Sequence, residues 1–255
     1  MHPLIQTLAG MIDHSLLHPT MTDRDLDEGC AIALRYQTAS VCVKPYAVPR
    51  AAELLKGSPV KVGTVVGFPH GGAATSNKVA ETRQACLDGA VEIDMVVNIG
   101  KVLGGDWTYV KEEIAAINAE SLRHGAIVKV IFENDFLDDA AKIKLCEICS
   151  EIPVAFVKTS TGYGFVKGAD GRFATQGATL PDLRLMREHS APHVQVKAAG
   201  GVRTLDDMLK VKELGVTRVG ATATIAIIEE ALKRFGGGEG GSEAPLSGSG
   251  KDVGY

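Results

Sequence analysis

Three ionisable side chains stand at the ends of short apolar runs of this chain. Lys158 follows the run in VAFVKTSTGYG, Lys197 follows the run in HVQVKAAGG, and Asp94 lies within VEIDMVVNIG. Lysine is rarely fully buried without a partner, so such a lysine either reaches solvent or has a chemical role. For one lysine alone the solvated position is the more common outcome. Two lysines and an acid in equivalent positions indicate a shared site instead.

The chemistry that these residues allow is covalent catalysis by an amine. Neighbouring strands lie about 4.8 Å apart, and two ammonium groups ~4 Å apart repel by about 4 kcal/mol at an effective dielectric constant near 20. One pKa unit corresponds to about 1.4 kcal/mol, so repulsion would lower the pKa of one lysine by roughly 3. A neutral lysine amine beside a second cation is typical of a Schiff-base nucleophile. Asp94 would supply the acid–base group that imine chemistry requires.

The elements that must position these residues follow a repeating pattern. Eight short apolar runs alternate with longer amphipathic stretches; the runs are GMIDHSLL, TASVCVKP, VKVGTVVGF, VEIDMVVNI, AIVKVIFE, VAFVKTS, HVQVKAAGG and TRVGAT. Alternating strands and helices imply a parallel sheet, and eight such units predict a closed (β/α)8 TIM barrel over residues 1–235 as a single domain. A doubly wound open sheet is the alternative, but no glycine fingerprint follows the first run. In a barrel, active-site residues lie at the carboxyl ends of the strands.

Glycines follow the last two predicted strands. Gly200 and Gly201 come directly after the seventh strand, and Gly220 ends the eighth strand shortly before a helix predicted to begin near Thr222. Barrels often bind phosphate at these two loops, through backbone N–H groups and a helix N-terminus. A glycine pair alone is weak evidence, because turns use glycine as well.

The composition changes after Phe235. Residues 236–255 are rich in glycine and serine and end in Tyr255, which predicts a flexible tail. A tail of this length could reach the catalytic face, where the Tyr255 phenol would relay a proton. An incidental terminal tyrosine is the alternative.

Composition excludes several other classes of protein. The net charge is −4 and no basic cluster is present, which argues against binding nucleic acid. No run approaches the roughly 18 apolar residues of a membrane helix, so no membrane partner is predicted. Five cysteines are typical of a reduced, cytoplasmic protein, and the pair Cys146 and Cys149 is interpreted as two packed positions of a helix. His14 and His18 could serve a metal-dependent hydrolase, but a matching carboxylate–histidine cluster is missing.

The motifs VEIDMVVN, FVKTSTG and KAAGGVRT, in this order and spacing, resemble those of the 2-deoxyribose-5-phosphate aldolase family. The resemblance extends from about Ile12 to Phe235 and also includes IDHSLL, SVCVKP, VVGFPHG, GATLPDLRLMRE and RVGAT. These aldolases are class I enzymes with a TIM barrel and no metal or other cofactor. The resemblance implies that Lys158 forms the imine, that Lys197 tunes it and transfers protons, and that Asp94 belongs to the proton relay. It also implies that Thr161 contacts the substrate.

The implied reaction is the reversible cleavage of 2-deoxyribose 5-phosphate into acetaldehyde and glyceraldehyde 3-phosphate. Its partners would be small sugar phosphates and aldehydes, with a homo-oligomer (dimer or tetramer) left open. Tyr163 stands where many relatives have a lysine or a small polar residue, and a longer segment, FVKGADGRFATQ, follows it. After the eighth strand only Thr222 supplies a hydroxyl at the first of two positions that are often serines. Two alternatives therefore stay open: a related aldolase with another or an unphosphorylated acceptor, and a non-catalytic barrel that binds a sugar phosphate.

Overall fold

Eight parallel strands close into a barrel in the computed structural model, which describes residues 2–236. The barrel strands are β1 (Ile12–Leu16), β2 (Ser40–Val43), β3 (Lys61–Val66), β4 (Glu92–Val96), β5 (Ile127–Ile131), β6 (Phe156–Lys158), β9 (Gln195–Ala199) and β10 (Arg218–Ala221). Each strand pairs with the next barrel strand along the chain, and β10 pairs with β1. The predicted TIM barrel is confirmed, and the open sheet is excluded.

Helices surround the barrel, and most of them follow a strand. They are α1 (Pro3–Ala9), α2 (Asp23–Tyr36), α3 (Val48–Leu54), α4 (Thr75–Leu87), α5 (Ile99–Leu103), α6 (Trp107–Arg123), α7 (Asp139–Glu151), α8 (Leu180–His189), α9 (Leu205–Glu213) and α10 (Thr224–Phe235), with 3-10 turns at Pro45–Ala47 and Asn134–Phe136. Within the described range, no helix is both long enough and apolar enough to cross a membrane.

Two short helices and a hairpin were not predicted from the sequence. Helix α1 precedes the first strand and buries Ile5 and Leu8, and α5 is a single short helix after β4. The strands β7 (Val166–Lys167) and β8 (Phe173–Ala174) form an antiparallel hairpin inside the long loop between β6 and β9. The hairpin accounts for the longer segment after Tyr163.

Local sequence explains where the helices begin and end. Thr22 and Thr204 cap α2 and α9 through reciprocal capping boxes with Asp25 and Asp207, which satisfy backbone N–H groups that have no partner inside the helix. Gly215 follows α9 with a φ of +84°, a conformation that glycine adopts at little cost. These signals set the short turns between helices and strands.

The barrel interior is charged, whereas the layer between barrel and helices is apolar. Side chains two residues apart on a strand share a face, so Lys158 faces inward while Val157 packs outward among the buried hydrophobic residues. Cys146 and Cys149 are free, buried thiols on α7, which confirms that they are packed helix positions.

Candidate active site

Asp94 gathers three lysines at the centre of the barrel. Its Oδ2 atom lies 2.9 Å from the Lys158 Nζ and 2.7 Å from the Lys197 Nζ, and its Oδ1 atom lies 2.9 Å from the Lys129 Nζ. The parallel register causes this meeting, because Lys158 is directly opposite Lys197 and Asp94 is directly opposite Lys129. The three residues predicted at the strand ends therefore form one buried cluster.

Asp13, on β1, is a fifth member of the cluster, and it was not predicted from the sequence. Its Oδ2 atom lies 2.5 Å from the Lys197 Nζ and 3.2 Å from the Lys129 Nζ, and Ser40 donates to its Oδ1 atom at 2.6 Å. The available signal was an acid at an inward position of IDHSLL. Without the register of β1 against its neighbours, that acid could not be assigned a partner.

A second charged layer lies below the cluster. The guanidinium of Arg218 donates to both carboxylate oxygens of Glu92 and to Asp13, and it stacks 5.2 Å from the centre of the Phe156 ring. Glu92 also lies 2.6 Å from the Lys129 Nζ. Buried charges are tolerated when each one is paired and hydrogen-bonded. This layer therefore supports the cluster above it.

Burial and neighbouring charges give the lysines different protonation. Burial lowers the pKa of Lys158, and the positive charge of Lys197 lowers it further, against the opposing effect of Asp94. Burial also disfavours the charge of Lys197, but Asp13 and Asp94 outweigh it and hold that pKa above its usual value. The sequence analysis predicted the lowered pKa and named lysine–lysine repulsion as its cause. Repulsion from Lys197 does lower this pKa, but it is the smaller cause, because desolvation makes the larger contribution.

The other charges of the cluster stay ionised. Burial favours the neutral acid at Asp94, but Lys129, Lys158 and Lys197 hold its pKa well below the usual value. Burial likewise opposes the charge of Lys129, and Asp13, Asp94 and Glu92 raise its pKa well above normal. Lys158 is therefore the amine of this cluster that most readily becomes neutral.

A pocket opens above the cluster at the carboxyl ends of the strands. Lys158, Lys197 and Asp13 contribute to its lining, while Asp94 lies behind them. Every other described residue predicted for the site also lines it: Thr161, Gly200, Gly201, Gly220 and Thr222. Cys42 forms part of the wall, and burial raises the pKa of its thiol to about 11, so this residue stays a neutral, packed thiol.

The two glycine loops form one side of the pocket. Gly200 and Gly201 have φ angles of +82° and +92°, which side-chain-bearing residues rarely adopt. Helix α10 begins at Thr224, two residues later than predicted, and Ala223 at its N-terminus makes no side-chain cap. Its first N–H groups therefore lack the capping that Thr204 supplies to α9.

The loop after β6 is fixed to the turn after β5. The buried carboxylate of Glu133 accepts hydrogen bonds from both the backbone N–H and the hydroxyl of Thr161. Glu133 itself has a φ of +61°, which is uncommon for a residue other than glycine. Burial raises the pKa of this carboxyl group, against the hydrogen bonds from Thr161. Thr161 is thus held by a partner that the sequence analysis did not identify.

An aromatic pair packs behind Leu17, which lines the pocket. The ring of Tyr163 meets the ring of Phe68 edge-to-face, with centroids 5.5 Å apart, and its hydroxyl donates to the Leu17 carbonyl at 3.3 Å. Leu17 and Cys42 pack in the same small apolar cluster as Phe68. Tyr163 therefore connects the loops that follow β1, β3 and β6.

The histidines lie apart from the charged cluster. Nδ1 of His14 is 2.8 Å from the Thr224 hydroxyl, and burial lowers the pKa of this imidazole to about 4. The side chain of His18 is hydrogen-bonded to the Thr20 hydroxyl at the surface. Across residues 2–236, no three histidine, cysteine or acidic side chains are arranged to hold a metal ion. Tyr255 lies outside the described residues, so its role in the site stays a prediction.

The sequence and fold match aldolases over most of the chain. Residues 7–226 match the model of the DeoC/LacD family aldolase. A deoxyribose-phosphate aldolase of Rhodopirellula baltica is 52% identical over 229 residues, which cover 90% of this chain and 91% of that protein. One from Clostridium perfringens is 45% identical, covering 88% of this chain and 95% of its own.

Similarity extends to solved structures. The deoxyribose phosphate aldolase of Aeropyrum pernix, described as having a unique tetrameric structure, superposes with a TM-score of 0.79 at 27% identity. The match covers 89% of this chain and 92% of that one.

Proposed function

The chain belongs to the DeoC/LacD family of aldolases, and on that premise we propose that it reversibly cleaves 2-deoxyribose 5-phosphate through an imine on Lys158. The products are acetaldehyde and glyceraldehyde 3-phosphate. The observation that carries this assignment is the position of Lys158, which lines the pocket and shares the Asp94 carboxylate with Lys197. Among the three clustered lysines, Lys158 alone has a lowered pKa, while those of Lys129 and Lys197 are raised.

Imine formation begins at the open-chain aldehyde of the sugar. The neutral Lys158 amine attacks carbon 1, and the carbinolamine that forms must then lose water. Lys197 is positively charged and shares the Asp94 carboxylate with Lys158. It is therefore placed to donate the proton that allows hydroxide to leave as water, and Asp94 stabilises the charge that develops on the imine nitrogen.

Carbon–carbon cleavage follows from the imine. Lys197, left neutral by that donation, accepts the proton of the hydroxyl on carbon 3 as the bond between carbons 2 and 3 breaks, and the electron pair of that bond forms an enamine on Lys158. Glyceraldehyde 3-phosphate leaves at this point. Lys197 then returns the proton to the enamine carbon, and hydrolysis of the resulting imine releases acetaldehyde and restores the Lys158 amine. These steps need no cofactor, since the lysine nitrogen itself accepts the electron pair.

Phosphate binding is proposed for the glycine loops. Gly200, Gly201, Gly220 and Thr222 line the same pocket as Lys158. Backbone N–H groups in such loops and at the start of a helix attract anions, and α10 begins beside this loop without a side-chain cap. Thr161, held by Glu133 next to the reacting lysine, contacts the sugar portion.

The remaining proposals concern assembly and location. A homo-oligomer, either a dimer or a tetramer, is supported by the tetrameric relative from Aeropyrum pernix. A cytoplasmic location is supported by the small, odd set of cysteines, all of which are free thiols.

A second candidate function is an aldolase that prefers an unphosphorylated acceptor. The observation in its favour is the apolar Leu17 in the pocket lining, which is backed by the edge-to-face pair of Tyr163 and Phe68. An apolar wall there suits a short aldehyde chain better than a charged group. The two candidates share the imine chemistry and differ only in the acceptor.

Steady-state kinetics decide between these candidates. For the proposed function, kcat/KM for 2-deoxyribose 5-phosphate exceeds that for 2-deoxyribose by at least about 100-fold, the scale of two charge-assisted hydrogen bonds. Gly201→Val introduces a side chain at a φ of +92° and should raise KM for the phosphorylated sugar alone. Equal kcat/KM values for the two sugars in the wild type would establish the second candidate instead.

A further inference from the structure

The turn after β5 carries a second acid, Asp135, whose contacts lead to the opposite end of the long β6–α8 loop. Its carboxylate accepts hydrogen bonds from the Thr175 hydroxyl, from the Gln176 N–H at 3.0 Å and from the Gly177 N–H at 3.3 Å. Three donors from consecutive residues fix both the position and the orientation of this segment.

The segment held by Asp135 is packed directly against the glycine loop. The Ala178 N–H donates to the Gly200 carbonyl at 3.0 Å. A Cβ atom added to Gly177 would lie 2.8 Å from that carbonyl oxygen, and one added to Gly200 would lie 3.1 Å from the Gly177 Cα. The two backbones are therefore in contact with no side chain between them. Any displacement of Gly177 must move Gly200 as well.

Glu133 and Asp135 hold opposite ends of the β6–α8 loop. Glu133 holds Thr161, three residues after Lys158, whereas Asp135 holds the segment that supports Gly200. The hairpin of β7 and β8 lies between these two anchors, and its strands are exposed. The hairpin is thus joined to the pocket loops through an anchored segment at each end.

We propose that Asp135 is a positioning residue for the phosphate end of the substrate. It acts through Gly177 on the loop of Gly200 and Gly201, which lines the pocket. This inference rests on the proposed function, since it requires that loop to bind phosphate. Asp135 should affect how tightly the phosphate is held and should leave the chemistry of Lys158 unchanged.

The test is Asp135→Asn. One carboxylate oxygen of Asp135 accepts a hydrogen bond from Gln176, and the other accepts from both Thr175 and Gly177. In the asparagine variant the amide nitrogen replaces one of these oxygens. Because that nitrogen cannot accept from the N–H group that it faces, at least one hydrogen bond is lost. We expect KM for 2-deoxyribose 5-phosphate to rise about tenfold, the scale of one charge-assisted hydrogen bond. The kcat for this sugar should stay within about twofold, because Lys158 is not touched. The kcat/KM for 2-deoxyribose should not change.

Two further variants keep the test decisive. Asp170→Asn is the matched control, because Asp170 accepts the Arg172 N–H within the exposed hairpin and has no contact with Gly177; it should leave both sugars unaffected. Thr175→Val removes one of the three donors with little change of shape and should raise the same KM by a smaller factor. If Asp135→Asn does not fold, Thr175→Val still gives the KM comparison.

Competition by inorganic phosphate gives an independent measure of the same loop. With 2-deoxyribose as substrate, the inhibition constant of inorganic phosphate should rise in Asp135→Asn by the same factor as the KM for 2-deoxyribose 5-phosphate. Unchanged KM and inhibition constants, or equal losses for both sugars, would overturn the role of Asp135. A wild-type protein with no preference for the phosphorylated sugar would instead overturn the phosphate site in the proposed function, and this inference with it.

Discussion

Lys78 and Lys158 are both buried lysines that donate to a carboxylate, and burial lowers the pKa of both. Lys78, on α4, donates to Glu113 at 2.8 Å and to the Val96 carbonyl at 2.8 Å. Lys158 lines the pocket and donates to Asp94, which it shares with two other lysines. The pKa direction alone therefore does not distinguish a structural lysine from a catalytic one.

The carboxylates show the difference more clearly. Burial raises the pKa of Glu113 although Lys78 and the Asn98 N–H stabilise its charge. At Asp94, three lysines overcome burial and hold the pKa far below normal. The Lys78 pair is a closed structural contact, whereas the Asp94 cluster keeps a permanent anion beside an amine that reaches the substrate. Access to a pocket and an excess of cations around one anion distinguish the two regions.

Removing Lys158 should give the largest loss of activity. Lys158→Ala eliminates the covalent route, so kcat/KM should fall by about 10⁴-fold or more. The free energy of unfolding, measured in urea, should change only slightly from the wild-type value, because Asp94 keeps Lys129 and Lys197 as partners. Cleavage within tenfold of the wild-type rate would show that this cluster is no more catalytic than the Lys78 pair.

Lys197→Leu should give the next largest loss, about 10³-fold at neutral pH, since Lys197 supplies both a proton and a positive charge. Without that charge, Asp94 and Asp13 are less neutralised and the pKa of Lys158 rises. The activity lost at pH 7 should therefore return in part as the pH increases. The pH profile of kcat/KM checks this, and a profile parallel to the wild type would contradict the electrostatic role.

Lys78→Met should differ from the two preceding variants, because it should lower the stability of the protein and leave catalysis unchanged. Loss of one partner leaves Glu113 buried and unpaired, which costs about 3–5 kcal/mol of unfolding free energy. Urea unfolding measures this cost, and the kcat of the folded protein should stay near the wild-type value. The double variant Lys78→Met/Glu113→Leu removes both charges and should recover part of the stability. A loss of kcat without a loss of stability would contradict the assignment of Lys78 to structure.

Acid should destabilise the Asp94 cluster but not the Lys78 pair. The pKa of Asp94 in the fold is below its unfolded value, so its contribution is complete above about pH 4 and is lost as the pH falls toward the folded pKa. Glu113 has a raised pKa, so protonation in acid favours its folded form. Urea midpoints between pH 6 and pH 3 should decline at least as steeply in Lys78→Met/Glu113→Leu as in the wild type. A urea midpoint that does not change with pH in that variant would show that the acid sensitivity arises from the Lys78–Glu113 pair and not from the Asp94 cluster.

The sequence predicted the fold and the meeting of Lys158, Lys197 and Asp94 because both depend on regular spacing. The alternation of strands and helices indicated the barrel, and the positions of Lys158, Lys197 and Asp94 at the ends of apolar runs indicated a shared site at the carboxyl ends of the strands. The partners of Asp13 were not predictable, because they depend on the register between strands that are distant in sequence. The contact between Lys78 and Glu113 was missed for the same reason, since they lie on separate helices 35 residues apart.

The cause of the Lys158 pKa also required the structure. From spacing alone, the adjacent Lys197 was the evident charge, and repulsion was assigned the whole effect. The structure places Asp94 between these lysines and buries Lys158, so desolvation dominates. Likewise, the anchors Glu133 and Asp135 act through loop residues whose positions no periodic pattern encodes.

Borohydride trapping tests the central claim most directly, with Lys78 as a control inside the same molecule. The wild-type protein is incubated with 2-deoxyribose 5-phosphate, reduced with sodium borohydride, digested, and mapped by mass spectrometry. We predict reduced adducts on Lys158 alone, either of the two-carbon fragment or of the five-carbon sugar, with Lys78, Lys129 and Lys197 unmodified. An adduct on Lys197, or continued cleavage with no adduct on any lysine, would contradict the central claim.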